Sequence, residues 1–320
     1  MPDAFSLAAL PLFDRLAGCR RVIVAGAGGG FDVFAGLPIY VALRAAGAEV
    51  HLANLTFSYL GGTDARWIAP HLAEVNSDTS GEDRYFPERR LAEWLAARGE
   101  PAVVYALEKV GVAPLRRAWQ ALVERVDADA IVLVDGGTDI LMRGDESGLG
   151  TPAEDMVSLA AVSGLAVPER LVVCLGFGVD TFHGVCHAHF LENVAALARA
   201  GGYLGAFSLL RAMPEAAAFL DAVAYAQERT PERPSIVNGS IAAAVEGQFG
   251  DVPLGARTAR SELFINPLMT LYFAFDLAAV AAASLYLSLL ESTESIFDVQ
   301  ARIEGFRKGI AIRPHRPIPH

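Results

Sequence analysis

The most chemically suggestive segment of the chain is an acidic loop that follows a short apolar run. Asp135 comes directly after Ile131–Val134, and six carboxylates fall within the 21 residues from Asp135 to Asp155, separated by glycines. Grouped carboxylates with glycine turns can ligate Mg²⁺ or Ca²⁺, or accept hydrogen bonds from ribose hydroxyls. Crowding of like charges also raises one pKa toward neutrality, which suits a general base. We therefore predict that Asp135 and Asp139 are catalytic residues.

Other residues near this loop are predicted to line the same ligand site: Gly136, Gly137, Thr138, Arg143 and, after the next apolar run, Asp180. The second half of the loop has a structural explanation. Thr151, Pro152 and Glu154 have the types expected of a helix N-cap, a first-turn proline and a capping-box acid. We therefore interpret Glu154 as structural.

Histidines are concentrated after the fifth apolar run, where three of the seven fall within seven residues: His183, His187 and His189. His183 and His187 are four residues apart and would share one face of a helix. Such a pair can bind a transition metal with a third ligand from Asp135, Asp139 or Asp180. We predict Asp135, Asp139 and His187 as the metal ligands. Alternatively, an imidazole at a helix N-terminus can act as acid or base, a catalytic role that we predict for His183.

A glycine-rich loop, Gly26–Asp32, follows the first apolar run and precedes a predicted helix. Glycines allow the backbone to approach a ligand closely, and the N–H groups at a helix N-terminus attract anions. We predict that the loop binds phosphate through four glycines: Gly26, Gly28, Gly29 and Gly30. Asp32 has two open interpretations, a helix N-cap or a group that binds sugar hydroxyls or a cation.

The glycine loop departs from the dinucleotide-binding fingerprint at two places. Phe31 occupies the position of the third glycine, and the second strand ends at Asn54 with no nearby acid to bind a ribose hydroxyl. These departures weaken a methyltransferase interpretation as well. We therefore expect Mg²⁺ or another divalent metal as a cofactor in preference to NAD(P).

Short β-branched runs alternate with longer helical segments along the chain, a pattern typical of βαβ units. We predict an α/β fold, a Rossmann-like three-layer sandwich with a mostly parallel sheet. Because the carboxyl ends of parallel strands meet at one edge, the three segments above are expected to form one pocket. The predicted strands are Arg21–Ala25, Val50–Asn54, Ala102–Tyr105, Ala130–Val134, Leu171–Leu175 and Tyr203–Ser208, and the predicted helices are Phe34–Ala46, Pro114–Val126, Pro152–Ser163 and His183–Ala200.

The chain is predicted to be a single α/β domain over residues 1–320, with an insertion at about 56–98 and a C-terminal completing segment at about 235–310. The apolar run Leu263–Leu290 is interrupted by Asn266, Pro267 and Asp276. A charge in the middle of a membrane span is costly. We therefore interpret this run as a buried strand, Leu271–Phe275, followed by a buried helix.

The composition limits the classes of partner. With 26 lysines and arginines against 37 aspartates and glutamates, the net charge is −11. This balance argues against binding to a nucleic-acid polymer or to an anionic membrane. Three cysteines without paired spacing, and no signal segment at the start, lead us to expect a cytoplasmic protein. The apolar fraction of 53% is compatible with a homo-oligomer.

The chain resembles the family designated domain of unknown function 1152 in three segments that occur in order. They are G-A-G-G-G-F-D at Gly26–Asp32, D-G-G-T-D…G-D-E…G-L-G-T-P-A-E-D at Asp135–Asp155, and G-V-D…H-G-V at Gly178–Val185. The resemblance extends from about residue 20 to about residue 290. It implies one intact unit of this type, and no catalytic assignment follows from it.

These features together predict a small-molecule enzyme of the hydrolase, lyase or transferase type that acts on a phosphorylated sugar, nucleoside or nucleotide. In this hypothesis Gly28–Gly30 hold phosphate, Asp135 and Asp139 hold ribose or Mg²⁺, and His183 acts as acid or base. Two alternatives stay open: an NAD(P)-dependent oxidoreductase, and a non-catalytic nucleotide-binding sensor or scaffold.

Overall fold

The computed structural model describes residue 6 and residues 8–253 and 263–318. Its strands in chain order are β1 (Arg21–Gly26), β2 (Glu49–Thr56), β3 (Arg66–Ala69), β4 (Leu72–Asn76), β5 (Val103–Glu108), β6 (Ala130–Gly136), β7 (Glu169–Leu175), β8 (Tyr203–Ser208), β9 (Gly250–Asp251), β10 (Phe264–Ile265) and β11 (Leu271–Asp276). Nine of these described strands form one sheet in the order β3-β4-β5-β2-β1-β6-β7-β11-β8. β9 and β10 form a separate antiparallel ribbon.

The central sheet is mostly parallel. β5, β2, β1, β6 and β7 are parallel neighbours in its middle. β4 and β11 run antiparallel to both of their neighbours, so the other seven described strands share one direction. The predicted Rossmann-like α/β fold is confirmed. The carboxyl ends of β1, β6 and β7 therefore lie side by side at one edge of the sheet.

Helices cover both faces of the sheet. They are α1 (Pro11–Leu16), α2 (Asp32–Ala35), α3 (Leu37–Ala45), α4 (Pro87–Ala96), α5 (Val112–Val126), α6 (Pro152–Ser163), α7 (His187–Arg199), α8 (Pro214–Arg229), α9 (Ile236–Val245), α10 (Leu277–Ala283) and α11 (Ile296–Lys308). Alternate residues of β1 face opposite cores, because successive side chains of a strand point to opposite faces. Ile23 packs in the core that contains α5 and α6, and Val24 packs in the core that contains α3 and α8.

Every predicted strand is present with slightly different bounds, but two predicted helices are wrong in part. The segment predicted as one helix over Phe34–Ala46 forms α2 and α3, with Gly36 between them. Pro38 stands in the first turn of α3 and has no N–H to continue the hydrogen-bond ladder from α2. The glycine loop is therefore followed by a helix of only four residues.

The helix predicted to begin at His183 begins at His187. Val179–His183 form a 3₁₀ turn, which ends at Gly184 with φ at +86°. This left-handed backbone conformation interrupts the helix. The prediction that His183 and His187 share one helical face is therefore wrong.

Two segments complete the central sheet at its sides. Residues 56–98, predicted as an insertion, contribute β3, β4 and α4, and β4 pairs with β5. The C-terminal segment contributes α9, β11, α10 and α11, and β11 lies between β7 and β8. The apolar run Leu263–Leu290 contains the predicted strand, β11, and a helix, α10, but α10 is buried only at Leu277 and Val280, so the prediction of a buried helix is wrong in part. Among the described helices, none is long and apolar enough to cross a bilayer.

Candidate functional site

Five aspartates, here called the aspartate cluster, meet beyond the carboxyl ends of β1, β6 and β7. They are Asp32 at the start of α2, Asp135 near the end of β6, Asp139 in the 3₁₀ turn Asp139–Leu141, Asp155 in α6 and Asp180 in the 3₁₀ turn Val179–His183. The parallel register pairs Gly26 of β1 with Val134 of β6, and Gly136 of β6 with Leu175 of β7. This register brings the loops after the three strands together.

Three members of the cluster bring carboxylate oxygens close to one another. One oxygen each from Asp32, Asp135 and Asp155 lies within 4.8 Å of the other two. Asp135 and Asp155 are only 2% and 1% exposed, whereas Asp32 is partly exposed at the rim. Like charges at this separation, away from water, need protons, hydrogen-bond donors or a cation.

Main-chain N–H groups compensate part of this charge. Gly28 donates to Asp32 Oδ2 over 2.8 Å, and Ile140 donates to Asp135 Oδ2 over 3.2 Å. By contrast, Oδ1 of Asp155 accepts no hydrogen bond from the described part of the chain. The N-cap interpretation of Asp32 is wrong, because Asp32 is the first helical residue and its carboxylate turns back to the glycine loop.

Two threonines hold the outer members of the cluster. The N–H and hydroxyl of Thr138 donate to Asp180 Oδ2 over 2.6 and 3.2 Å. Those of Thr151 donate to Asp139 Oδ2 over 2.7 and 3.2 Å. Because its hydroxyl is bonded to Asp139, Thr151 makes no side-chain cap bond to α6, and the predicted capping box does not form.

Close approach within the cluster requires glycine at several positions, of which Gly28 and Gly137 are two. A Cβ at Gly28 would lie 2.8 Å from both Asp155 Oδ1 and Asp32 Oδ2, and a Cβ at Gly137 would lie 2.9 Å from the oxygens of Asp180. A larger residue at either position would displace a carboxylate. The Gly28 N–H, predicted to bind phosphate, is engaged by Asp32.

Burial raises the pKa of the clustered carboxyl groups. Loss of hydration, together with the nearby charge of Asp139, raises the pKa of Asp32 to about 8 in spite of N–H bonds from the glycine loop. Burial raises the pKa values of Asp135, Asp155 and Asp180 well above the ordinary value, and mutual repulsion adds to the effect. The cluster is therefore suited to hold protons near neutral pH, or a cation in their place.

His183 lies exposed beside the cluster. Burial raises the pKa of Asp139, and the nearby imidazole of His183 opposes part of this rise. Arg143, by contrast, has its guanidinium bonded to Asp145, with Nε–Oδ1 and Nη2–Oδ2 distances of 3.1 Å. No described contact joins Arg143 to the cluster.

His187, predicted as a metal ligand with Asp135 and Asp139, contacts other groups. Its ring centroid lies 4.9 Å from that of Phe177, and its Nε2 lies 3.3 Å from the Thr181 hydroxyl. In the described residues, the structure brings Asp135 together with Asp32 and Asp155, and His187 is not part of that group.

Asp155 is the residue of this group that sequence reasoning did not single out. The pattern of Thr151, Pro152 and Glu154 predicted a helix cap at this position instead. In the structure, Glu154 forms an ion pair with Lys109 at 3.4 Å. A signal was nevertheless present. α6 is buried around most of its circumference, with Ala153 and Met156–Val162 all buried, so a charged residue inside it must face a polar site.

Glu88 is a second buried carboxylate that the sequence did not indicate. It accepts a hydrogen bond from the Asn54 side chain over 2.6 Å, and burial raises its pKa to about 7. The same Asn54 amide donates to the Gly30 carbonyl over 2.8 Å. The Asn54 amide, near the end of β2, thus donates its hydrogen bonds to other groups of the protein.

A cleft of about 640 Å³ opens beside the cluster. Its described lining consists of Gly29–Asp32, Phe57, Tyr85 and Glu232–Val237. Asp32 belongs both to this cleft and to the cluster. Phe57 is 45% exposed, with the Lys109 ammonium 4.8 Å from its ring centroid, and the exposed Arg233 adds another basic group.

A second cleft, of about 670 Å³, lies between α3, α4 and α8. Its two arginines are already paired, Arg44 with Glu100 and Arg98 with Asp221. No member of the aspartate cluster lines it. The cleft beside Asp32 is therefore the better candidate for a substrate site.

Comparison with known proteins gives one family match. The chain matches the family described as "Protein of unknown function (DUF1152)" over residues 62–310 of its 320. No curated protein and no solved structure matches the chain. The matched range contains the acidic loop and the histidine segment, two of the three segments that carry the resemblance, and the glycine loop at Gly26–Asp32 lies outside it. The chain belongs to the DUF1152 family.

Proposed function

We propose that the chain is a small-molecule enzyme of the hydrolase, lyase or transferase type, acting on a phosphorylated sugar, nucleoside or nucleotide. The main supporting observation is that Asp32 connects the cleft of about 640 Å³ to the buried aspartate cluster. A ligand in the cleft would thus contact Asp32, at the edge of a group of carboxylates whose pKa values are raised by burial. Such groups occur preferentially at functional sites.

The cleft lining supports the substrate class. Phe57 and Tyr85 offer aromatic surfaces on which a base or sugar can pack. Arg233 offers a guanidinium for phosphate oxygens, and its planar donors suit that geometry. Gly29 and Gly30 also line the cleft, and both aromatic rings pack closely against them: a Cβ on Gly29 would contact Phe57, and a Cβ on Gly30 would lie 2.6 Å from the Tyr85 hydroxyl.

The proposed chemistry is acid–base catalysis next to grouped carboxylates. His183 is exposed beside Asp139, and an imidazole in such a position can transfer protons near neutral pH. Asp139 would lie close enough to this imidazole to interact with it electrostatically. Asp135 would act from the buried side of the cluster, where it binds ribose hydroxyls or a cation.

The geometry gives less support to an NAD(P)-dependent oxidoreductase. Phe31 packs against Phe34 and Tyr85, with ring centroids 5.5 Å apart in both pairs, where the fingerprint needs a third glycine. Near the end of β2, the amide of Asn54 donates to Glu88 and Gly30, and Glu88, the acid beside it, is fully buried.

A ligand panel tests the proposal. Thermal shift and calorimetry would be run with nucleosides, nucleotides, sugar phosphates and NAD(P), each with Mg²⁺ and with EDTA, and hits would be assayed for turnover. We expect a member of the first three classes to bind and to be converted. Phe57→Ala should weaken its binding by about tenfold, because stacking on an aromatic ring contributes about 1–3 kcal/mol per base.

The matched control is Phe297→Ala, which removes another exposed phenylalanine, 76% exposed on α11. This variant should bind like the wild type. Binding of NAD(P) alone would favour the oxidoreductase. Binding without turnover would favour the sensor or scaffold, and a panel without any hit would contradict the proposal.

A further inference from the structure

We propose that Asp32, Asp135 and Asp155 form a binding site for one divalent cation of the hard, oxygen-preferring class, such as Mg²⁺, Mn²⁺ or Ca²⁺. The site is part of the aspartate cluster, and Asp32 also lines the cleft. Sequence reasoning assigned a divalent metal to Asp135, Asp139 and His187, so Asp135 is retained and the other two ligands differ from that assignment.

The first argument is distance. One oxygen from each of the three carboxylates lies within 4.8 Å of the other two. Oxygens on opposite sides of an ion are separated by twice the metal–oxygen distance, about 4.2 Å for Mg²⁺ and about 4.6–5.2 Å for Ca²⁺. Separations of up to 4.8 Å fit Ca²⁺ as the side chains stand, whereas Mg²⁺ requires any pair farther apart than about 4.2 Å to move closer.

The second argument is the buried oxygen of Asp155. Asp155 is 1% exposed, and its Oδ1 accepts no hydrogen bond from any residue that the structure describes. This oxygen and Asp32 Oδ2 both lie 2.8 Å from the position of a Cβ on Gly28. Both oxygens thus point to the same small space above Gly28. Because an unpaired buried charge is strongly unfavourable, a positively charged ligand is the group that this space suits.

The third argument is the balance of charge. Within the described residues, no lysine or arginine forms an ion pair with Asp32, Asp135 or Asp155. Asp180 adds negative charge nearby, since Asp135 and Asp180 both approach Gly137. Among the described residues, no lysine or arginine is paired with these three carboxylates, so within this part of the chain their charge is left to bound protons or to a cation.

The fourth argument is the rigidity of the ligand set. Asp135 stands on the central strand β6, Asp155 stands on the buried helix α6, and Asp32 opens α2. Main-chain N–H groups hold Asp32 Oδ2 and Asp135 Oδ2. Carboxylates that stand on rigid elements and are held by main-chain hydrogen bonds are pre-organised for coordination.

The role of this cation toward substrate rests on the proposed function. Asp32 borders the cleft, so a cation bound there would face the phosphate or hydroxyl oxygens of a ligand in it. It would neutralise repulsion between an anionic substrate and the aspartates. Cation binding by the chain alone does not depend on that role and can be measured without substrate.

The test uses the full chain, stripped with EDTA and exchanged into metal-free buffer. Mn²⁺ binding is followed by electron paramagnetic resonance, and Mg²⁺ and Ca²⁺ binding by calorimetry. We expect one site per chain for at least one of these ions, with an increase in melting temperature. Asp155→Asn and Asp135→Asn should each weaken binding by about 100-fold, because ligand charge sets the affinity of such sites.

The matched control is Glu154→Gln, which removes one negative charge at the adjacent position of the same helix. It should bind the cation within about twofold of the wild type, because Glu154 pairs with Lys109 and does not belong to the three-carboxylate group. Circular dichroism checks that each variant folds. If Asp155→Asn fails to fold, Asp32→Asn at the partly exposed rim supplies the same comparison.

The inference is overturned if the wild type binds none of the three ions at about 10 mM, or if the folded aspartate variants bind like the wild type. Cation binding without turnover of any ligand leaves the cation site standing and contradicts the proposed function. Turnover that EDTA does not change, with no cation bound, supports the proposed function and overturns the cation site.

Discussion

Glu146 and Asp155 are both fully buried carboxylates of the same acidic segment, but the protein treats them in opposite ways. Four donors bind the Glu146 carboxylate: the N–H groups of Arg143 and Gly144, the Asn193 amide and the Arg313 guanidinium, over 2.7–3.1 Å. Asp155, nine residues later, has an oxygen with no described donor. A saturated buried carboxylate stabilises a fold, whereas an unsaturated one is tolerated where a ligand completes it.

The surroundings of the two carboxylates explain the difference. Near Glu146, the C-terminal part of the chain folds back over the loop. Arg307 donates to the carbonyl oxygens of Gly144 and Glu146, and Arg313 forms ion pairs with Asp145 and Glu146. Near Asp155, the described neighbours include Asp32, Asp135 and the backbone of Gly28, which bring no positive charge. One acidic segment thus contains a structural half and a half suited to ligand binding.

The largest expected effect is on the structural half. Glu146→Ala should lower the free energy of unfolding by about 3 kcal/mol, because it leaves Arg313 and the other donors without their buried acceptor. Urea denaturation followed by circular dichroism measures the change. Asp155→Asn, measured in parallel in EDTA, should show no such loss. Equal destabilisation by the two substitutions would remove the distinction between the two halves.

The next effect is a dependence of stability on pH, which arises from the carboxyl groups of the aspartate cluster. Burial raises the pKa of Asp32 to about 8, and the pKa values of Asp135, Asp155 and Asp180 lie well above the unfolded value. A raised pKa means that the folded state binds more protons than the unfolded state. The resulting stability is present at low pH and is lost as the pH rises through the folded pKa.

Between pH 7 and 8 in EDTA, the free energy of unfolding should therefore fall by up to about 1.4 kcal/mol for each proton that the folded cluster still holds. The histidines whose pKa is lowered by burial, such as His187, lose their protons at lower pH and do not oppose this trend. Urea denaturation at the two pH values measures the change. Stability that is flat or rises over this interval would show that the cluster is ionised without a cation.

The smallest expected effect is on the stability of a variant at Asp155, the unsaturated carboxylate. Asp155→Asn should raise the free energy of unfolding in EDTA by about 1 kcal/mol at pH 8, because the wild type must either keep a proton on Asp155 or bury its charge, and asparagine needs neither. The same variant should lose the stabilisation that Mg²⁺ or Ca²⁺ gives the wild type. Melting temperatures with and without cation measure both. A destabilised variant in EDTA would mean that Asp155 supports the fold as Glu146 does.

Local sequence pattern was sufficient for much of this architecture. The apolar runs that became β1, β6 and β7 are short, β-branched and followed by glycine or aspartate, so both the strands and their carboxyl ends could be predicted. From those ends followed the expectation that the glycine loop and the acidic loop meet. The structure places Gly28, Asp135 and Asp139 in one neighbourhood.

Other features depend on contacts between distant residues. The start of α7 moved to His187 because Gly184 adopts a left-handed conformation that the sequence permits but does not require. The insertion of β11 between β7 and β8 depends on strand pairing across about 100 residues of chain. Thr151 and Glu154 match a capping box locally, but Thr151 bonds Asp139 instead.

The sequence by itself determined the fold class, which loops follow the central strands, and the acidic character of the sheet edge where those loops meet. It could do so because apolar periodicity and glycine turns depend on only a few neighbouring residues. Only the tertiary structure decided which carboxylates face one another. Asp155 joins Asp32 and Asp135, while Glu146 is enclosed by Arg313 and Asn193. The physical reason is that the energy of a buried charge depends on what surrounds it in space, and those neighbours come from distant parts of the chain.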